Sequence, residues 1–251
     1  MKSVTTIDSS SDLFWAMKGA GHNFGIVTSL TSKVYDIQFS KWAIETFTFS
    51  GTKVEAVYQT ANDYLLKNGT QPVGVINWSY WLNIPSADPT NQPVILFYVI
   101  QEGVTTVDSA YTQPFHDIGP LSAQAQSGTY RDLAGWSGIA LSSPHCQDVG
   151  LANPRFPIYL QDAYTIFANA VRGASSFNHS IFMIEGYCME GVHAIPAGSA
   201  AFAFRSQNIL AAPLITYKST GSTINCQAKQ LGDQLRRILF QASGLPNPCL
   251  R

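Results

Sequence analysis

The sequence is short of charge. Lys, Arg, Asp and Glu together make up 12% of its 251 residues, about half the share of an average soluble domain. The formal net charge is −1, which leaves no electrostatic footprint for a nucleic-acid backbone. No apolar run approaches the ~20 residues that span a membrane. The opening MKSVTTIDSSSD lacks the apolar middle of a secretory leader, so location is unreadable and the cytoplasm is only a default. Cysteine is sparse as well. Cys146, Cys188, Cys226 and Cys249 are the four present, and no C-x-x-C pair joins any of them, which speaks against zinc. Three disulfide pairings are possible on paper, but reduced, mostly buried thiols are the simpler reading. His22, His116, His145, His179 and His193 stand singly, with no spacing suited to a metal. There is no G-x-S-x-G hydrolase elbow, no internal repeat and no low-complexity tract. These absences speak against a nucleic acid, a membrane and a metal as partners.

What is present is hydrophobic: 45% of the chain. Ser9–Ser11 with Asp12 mark a helix start, and Leu13–Lys18 form a short helix that Gly19 ends in a left-handed position. Gly25 opens Ile26–Tyr35, whose alternation predicts a strand. Trp42–Phe49, Val73–Leu82 and Val94–Gln101 are strands rich in β-branched and aromatic residues. Asn83–Pro93 is a loop joining the last two as a hairpin. Thr52–Lys67 carries the apolar face of a helix through Val54, Val57, Tyr58, Ala61, Tyr64 and Leu65, closed by Asn68-Gly69. Thr105–His116 and Ala163–Val171 are further helices. Residues 128–157 form a long irregular loop. Ser180–Tyr187 and Ala200–Tyr217 are strands, the latter broken near Ser206–Asn208. A last helix starts at Ser222 or Thr223, buries Ile224, Ala228, Leu231, Leu235 and Ile238, and ends at Gly244. This order predicts an α+β fold in which helices back a largely antiparallel sheet.

Two places carry possible chemistry. SDLFWAMKGAGHNFGIVTSL, residues 11–30, holds Gly19, Gly21 and Gly25. A dinucleotide-binding turn runs from strand to helix with G-x-G-x-x-G. Here the order is helix to strand and the spacing is G-x-G-x-x-x-G, so that site is disfavoured and an ordinary turn is the simpler reading. Its backbone N–H groups are still suited to holding a diphosphate in a nest. The second place is Glu185, which follows the apolar run Ile181–Ile184. A carboxylate at the end of a buried strand is suited to general-base work, although a salt-bridged structural Glu is the plainer alternative. Trp78, Tyr80, Trp81 and Tyr98 could face a planar substrate, although aromatic residues on strands more often belong to a core.

The stretch DLFWAMKGAGHNFGIVT closely resembles a signature of the berberine-bridge-enzyme-like FAD-linked oxidases, members of the vanillyl-alcohol-oxidase / p-cresol-methylhydroxylase superfamily. Trp136–Gln147 (WSGIALSSPHCQ), Phe182–Pro196 (FMIEGYCMEGVHAIP) and Ala201–Tyr217 (AFAFRSQNILAAPLITY) are similar to segments of its fungal branch. The resemblance runs from about Val4 to Gly244. It implies a two-part fold: an FAD-binding domain of the PCMH type, here only its C-terminal remnant over 1–36, and a substrate domain over 37–244, followed by an atypical tail over 245–251. It implies FAD as cofactor, lined by Gly19, Gly21, Asn23, Gly25, Ile26 and Val27. Glu185 and Tyr187 fall on the sheet that faces the flavin in the family, as candidates for base and substrate positioning. The implied reaction is hydride transfer from a small organic substrate (an alcohol, sugar, amine or secondary-metabolite carbon) to FAD, with O2 as final acceptor.

The resemblance also departs from the family pattern. The family's diphosphate loop and flavin-bonded histidine lie upstream of this signature, and its closing Y-x-N-Y segment is replaced by LPNPCLR. Ala203-Phe204 stands where the family has Pro-His. The expectation is a chain truncated at both ends, and two readings stay open: an incomplete oxidoreductase, or a non-catalytic remnant that binds a small molecule or a partner without flavin. Either leaves apolar surface exposed. The chain expressed alone is expected to be poorly soluble, or to depend on a complementing flavin domain or on homo-oligomerisation. A monodisperse, ligand-free product in size-exclusion chromatography would count against this.

Overall fold

The computed structural model describes residues 11–67, 70–88, 90, 92–136, 150–152, 156–172, 175–202 and 205–243. They divide into two compact units, Met1–Gln38 with Met189–Ser206, and Phe39–Cys188 with Gln207–Arg251. The segment Met189–Ser206, expected to lie within the sheet-bearing part, clusters with the N-terminal segment instead.

The larger unit is built on seven strands: β1 (Trp42–Ser50), β2 (Val75–Leu82), β3 (Val94–Glu102), β4 (Ser122–Gly128), β5 (Gly150–Ala152), β6 (Ile181–Gly186) and β7 (Ile209–Leu214). They form one sheet in the order β4-β1-β3-β2-β6-β7-β5, and every pairing is antiparallel. This is the α+β arrangement expected from the order of elements.

Alternation along the strands gives the sheet two different faces. Ala43, Phe47 and Phe49 of β1, Val75 and Trp81 of β2, Ile95, Phe97 and Val99 of β3, and Phe182 and Ile184 of β6 point to one side. Helices α2 (Val54–Thr60), α5 (Phe156–Val171) and α7 (Ser222–Ser243) back that side, adding Val57 and Tyr58, Leu160 and Phe167, and Leu231, Leu235 and Leu239 to the same core. Trp81 and Phe182 are fully buried and stack with ring centroids 4.2 Å apart. The Trp81 indole donates to Tyr58 Oη at 2.8 Å, and Tyr58 Oη lies 2.7 Å from Ser79 Oγ. The polar atoms of this aromatic layer are thus paired, as burial demands. The other face carries Trp42, Ile44, Tyr80, Tyr98 and Ile100, with Ile76, Trp78, Leu96 and Met183 packed around them. Part of it is covered by helix α4 (Tyr130–Trp136), through Leu133 and Trp136.

Several boundaries differ from those read in the sequence. The helix after β1 starts as a 3-10 turn over Gly51–Lys53 and ends as a π-helical turn over Ala61–Leu66. Lys67 takes the left-handed backbone that ends it (φ 44°); Asn68-Gly69, expected to close it, lie outside the described residues. β4 is a strand that the sequence does not announce. SAQAQSG has weak strand propensity, and the ladder to β1 that sets Gln124 opposite Thr46 makes it a polar edge strand. Helix α3 covers Ser109–Ile118, capped by the Asp108 carboxylate on the Ala110 N–H at 2.9 Å. Gly244 and most of the WSGIALSSPHCQ stretch lie outside the described residues.

The smaller unit holds α1 (Ser11–Ala20), a 3-10 turn over Gly21–Asn23, α6 (Glu190–His193) and a 3-10 turn over Ala197–Ser199. The strand expected over Ile26–Tyr35 is absent. These residues have no regular structure, and Ile26 and Val34 are each 93% exposed. Alternation alone does not make a strand; a partner edge must accept its hydrogen bonds, and no described residue pairs with this segment. The first half of the strand expected over Ala200–Tyr217 is also missing, and β7 starts only at Ile209.

Replacing Trp81 with Ala removes the ring that joins β2, β6 and the helices. The expected cost is ~3–5 kcal/mol, read as a lower denaturant midpoint with an unchanged slope.

Candidate functional site

Glu185 is the penultimate residue of β6, and its side chain points to the face opposite the helices, level with Ile181 and Met183. It pairs with Trp78 of β2 on one side and Leu210 of β7 on the other. Trp78 in turn pairs with Tyr98 of β3. One cross-sheet row therefore reads Tyr98, Trp78, Glu185, Leu210. Tyr187 lies two residues on from Glu185, hence on the same side of the chain. Its hydroxyl donates to Glu185 Oε2 at 2.6 Å. The sequence candidates Glu185 and Tyr187 are thus brought into direct contact. Of the four aromatic residues weighed for a planar substrate, Trp78, Tyr80 and Tyr98 share this face, while Trp81 belongs to the helix-backed core.

The end of β6 is held from below. Gly186 pairs with Asn77, and a Cβ on Gly186 would lie 2.6 Å from Asn77 Oδ1 and 3.0 Å from Leu66 Cδ2. Any larger residue there would make the Asn77 and Leu66 side chains shift. Gln71, buried, donates Nε2 to the Val75 carbonyl at 2.6 Å and to the Gly186 carbonyl at 3.2 Å. Neither Gln71 nor Asn77 is marked by any pattern in the sequence. A cavity of about 20 Å³ lies on this side, lined by Tyr58, Asn62, Asn77 and Gly186 among others. It has room for a water and not for an organic substrate.

The tyrosines around the carboxylate resist ionisation. Burial pushes the Tyr187 phenol up, and the hydrogen bond to Glu185 and its charge push it further. Tyr80 is pushed up to about 12, by burial first and then by the charges of Glu185 and Tyr98. Tyr98 is raised by burial. At neutral pH these phenols are donors.

In the smaller unit, Gly19 does not take the left-handed conformation expected of it: its φ is 178°, which is extended backbone. Its missing side chain answers to a close approach, because a Cβ there would meet the Ala201–Phe202 backbone, 2.7 Å from Phe202 Cα. The Trp15 indole donates to the Gly198 carbonyl at 2.7 Å, and the Ala201 N–H donates to the Trp15 carbonyl at 3.1 Å. In the turn that follows, the Phe24 N–H donates to the Gly21 carbonyl at 3.0 Å. Gly25 has φ +148° with nothing within 4 Å of a notional Cβ. Asn23, Gly25, Ile26 and Val27 are exposed. Open backbone of this kind fits the approach of a large anionic cofactor.

Cys188 and Cys226 are free thiols; Cys146 and Cys249 lie outside the described residues. Among the described residues no helix is long and apolar enough to cross a membrane, and no cluster of His, Cys, Asp and Glu is suited to a metal.

An antiparallel sheet backed by helices is also the fold of solved flavoenzymes. The chain is 56% identical over 249 residues to the FAD-linked oxidoreductase chyH of Penicillium rubens, covering 96% of this chain and 50% of that protein. It is 50% identical over 249 residues to the FAD-linked oxidoreductase chry5 of Gibberella zeae, covering 96% and 49%. Among solved structures, BBE-like 1 of Physcomitrella patens superposes with a TM-score of 0.71 at 14% identity, over 96% of this chain and 52% of that one. A xylooligosaccharide oxidase from Myceliophthora thermophila C1 superposes with a TM-score of 0.62 at 18% identity, over 96% and 55%. No family profile matches the chain. The chain belongs to the berberine-bridge-enzyme-like FAD-linked oxidoreductases, and it spans about half the length of the curated relatives it matches. FAD is the cofactor of that family.

Glu185→Gln removes the negative charge beside two phenols. Loss of a like charge eases ionisation, so the titrations of Tyr187 and Tyr80 are expected to move down toward the ordinary 10.0. Spectrophotometric tyrosinate titration of both proteins checks this, and superimposable curves would refute it.

Proposed function

We propose that this chain is the substrate-binding part of an FAD-linked oxidoreductase acting on a small organic molecule, with Glu185 as general base and Tyr187 as the residue that positions it. The observation that carries the proposal is the 2.6 Å Tyr187–Glu185 hydrogen bond on the face of the sheet opposite the helices, in a chain 56% identical to a named FAD-linked oxidoreductase. With Oε2 engaged by Tyr187, Glu185 has Oε1 to accept a proton from a substrate O–H or N–H. As that proton leaves, the adjacent carbon gives up a hydride, and a C=O or C=N bond forms. Bound FAD supplies the two-electron acceptor, which O2 restores. The Tyr187 phenol stays protonated through the reaction and keeps the carboxylate in one orientation.

For the cofactor, the open backbone around Gly21, Asn23 and Gly25 supports a role in holding the flavin nucleotide, with Gly19, Ile26 and Val27 flanking it. On this reading 1–36 is part of an FAD-binding domain, 37–244 the substrate domain and 245–251 a tail outside both. The exposed side chains of Ile26, Leu30, Val34 and Tyr35 support association with a complementing flavin domain or a second copy.

The test is anaerobic bleaching of the FAD-loaded protein by a panel of alcohols, aldoses and cyclic amines. With a compound that bleaches the flavin, Glu185→Gln is expected to slow reduction ~10²–10⁴-fold while flavin content stays the same. An unchanged rate removes Glu185 as base, and failure to retain FAD even with a complementing flavin domain removes the cofactor reading.

A further inference from the structure

The tryptophans of this chain treat their N–H groups differently. Trp81, in the core, donates to Tyr58 Oη at 2.8 Å. Trp15 donates to the Gly198 carbonyl at 2.7 Å. Trp78 donates to no described residue, although its Nε1 is shielded from solvent. A buried donor left unpaired costs ~1–3 kcal/mol, and buried indoles usually find an acceptor. The fold places this orphan beside the candidate base: Trp78 is the β2 partner of Glu185.

Its neighbours are rings. Tyr98, its partner on β3, lies with its centroid 5.5 Å from the Trp78 ring at 47°. Tyr80 meets Tyr98 edge-on at 5.9 Å. Adjacent strands are ~4.8 Å apart, so the backbones of Tyr98, Trp78 and Glu185 follow one another at one strand spacing each along a row. Trp42 Nε1 is also unpaired. It faces Tyr130 of α4, 5.5 Å between centroids, and its register partners are Glu102 and Gly128, so it is outside this row.

We propose that the Trp78 indole N–H is a specificity-determining donor, which selects a planar aromatic substrate carrying a hydrogen-bond acceptor, a carbonyl oxygen or ring nitrogen, beside the O–H or N–H that faces Glu185. The aromatic side chains match a flat ring in shape and give ring–ring contact. The donor is dry, so an acceptor reaches it by displacing the side chains above it. Ligands that stack but bring no acceptor lose the hydrogen bond that offsets that displacement. The position of the oxidised group rests on the proposed role of Glu185; the recognition of an acceptor by Trp78 does not.

The experiment uses coumarin, a planar bicycle with a lactone carbonyl, and naphthalene, its acceptor-free counterpart. Protein with ¹⁵N-labelled indoles is titrated with each. Coumarin is expected to shift the Trp78 indole N–H resonance downfield, and naphthalene to leave it in place. In Trp78→Phe, the preference for coumarin over naphthalene is expected to fall about tenfold, the effect of one lost hydrogen bond. A coumarin shift confined to the Trp42 signal, an unchanged preference in the variant, or binding of neither probe would overturn the proposal. The shift is read on unaltered protein with its signal assigned through backbone-linked spectra, so it decides the question even if the variant folds poorly. Neither measurement uses flavin or turnover, so failure of Glu185 as a base leaves this result standing on its own.

Discussion

Trp81 and Phe182 face each other across neighbouring strands, 4.2 Å apart and fully buried. That stack pins β2 to β6 in one register. Side chains alternate with a period of two, so a slip by one residue would turn every residue of the slipped strand to the opposite face. Trp81 and Phe182 would then leave the helices, and Trp78 and Glu185 would no longer sit side by side. The placement of Glu185 and Trp78 on one face of the sheet is therefore set by packing on the other. The Tyr58 and Ser79 hydroxyls reinforce the same register from within the core.

The Glu185–Tyr187 contact shows how little a sheet needs to build a carboxylate with defined hydrogen bonding. Two residues at i and i+2 share a side, and the glycine between them lets the strand end bed down on Asn77. Gln71 then ties the Gly186 carbonyl to the start of β2. Among the described residues no charged group pairs with Glu185. A phenol in place of a cation orients the carboxylate through one short hydrogen bond and adds no positive charge beside it.

Much of the larger unit was legible in the sequence because its strands are dense in β-branched and aromatic residues. β1, β2, β3 and β6 announce themselves through Phe47, Trp81, Phe97 and Phe182, and the final helix through its spacing of Ala228, Leu231 and Leu235. Glu185 stood out as a carboxylate at the end of an apolar run. What could not be read depends on partners distant in the chain. β4 exists because the edge of β1 was available to SAQAQSG, and Ile26–Tyr35 is not a strand because no described residue offers it an edge. Which aromatic residues share a face with Glu185 follows from register, which only the ladder settles. Gly19 shows the same limit: its role comes from a backbone near residue 202, and local turn rules point elsewhere.

The π-helical turn over Ala61–Leu66 has a reach that its surface position conceals. A π turn takes up one more residue than an α turn, and here consecutive residues Leu65 and Leu66 are both buried. Leu66 is thereby extended far enough to touch the space above Gly186, the residue between Glu185 and Tyr187. Loop length in this stretch is thus a dimension of the site. A chain one residue shorter between 61 and 66 would wind as an ordinary helix, draw Leu66 back, and loosen the carboxylate–phenol pair from the far side of the sheet with Glu185 and Tyr187 themselves unaltered.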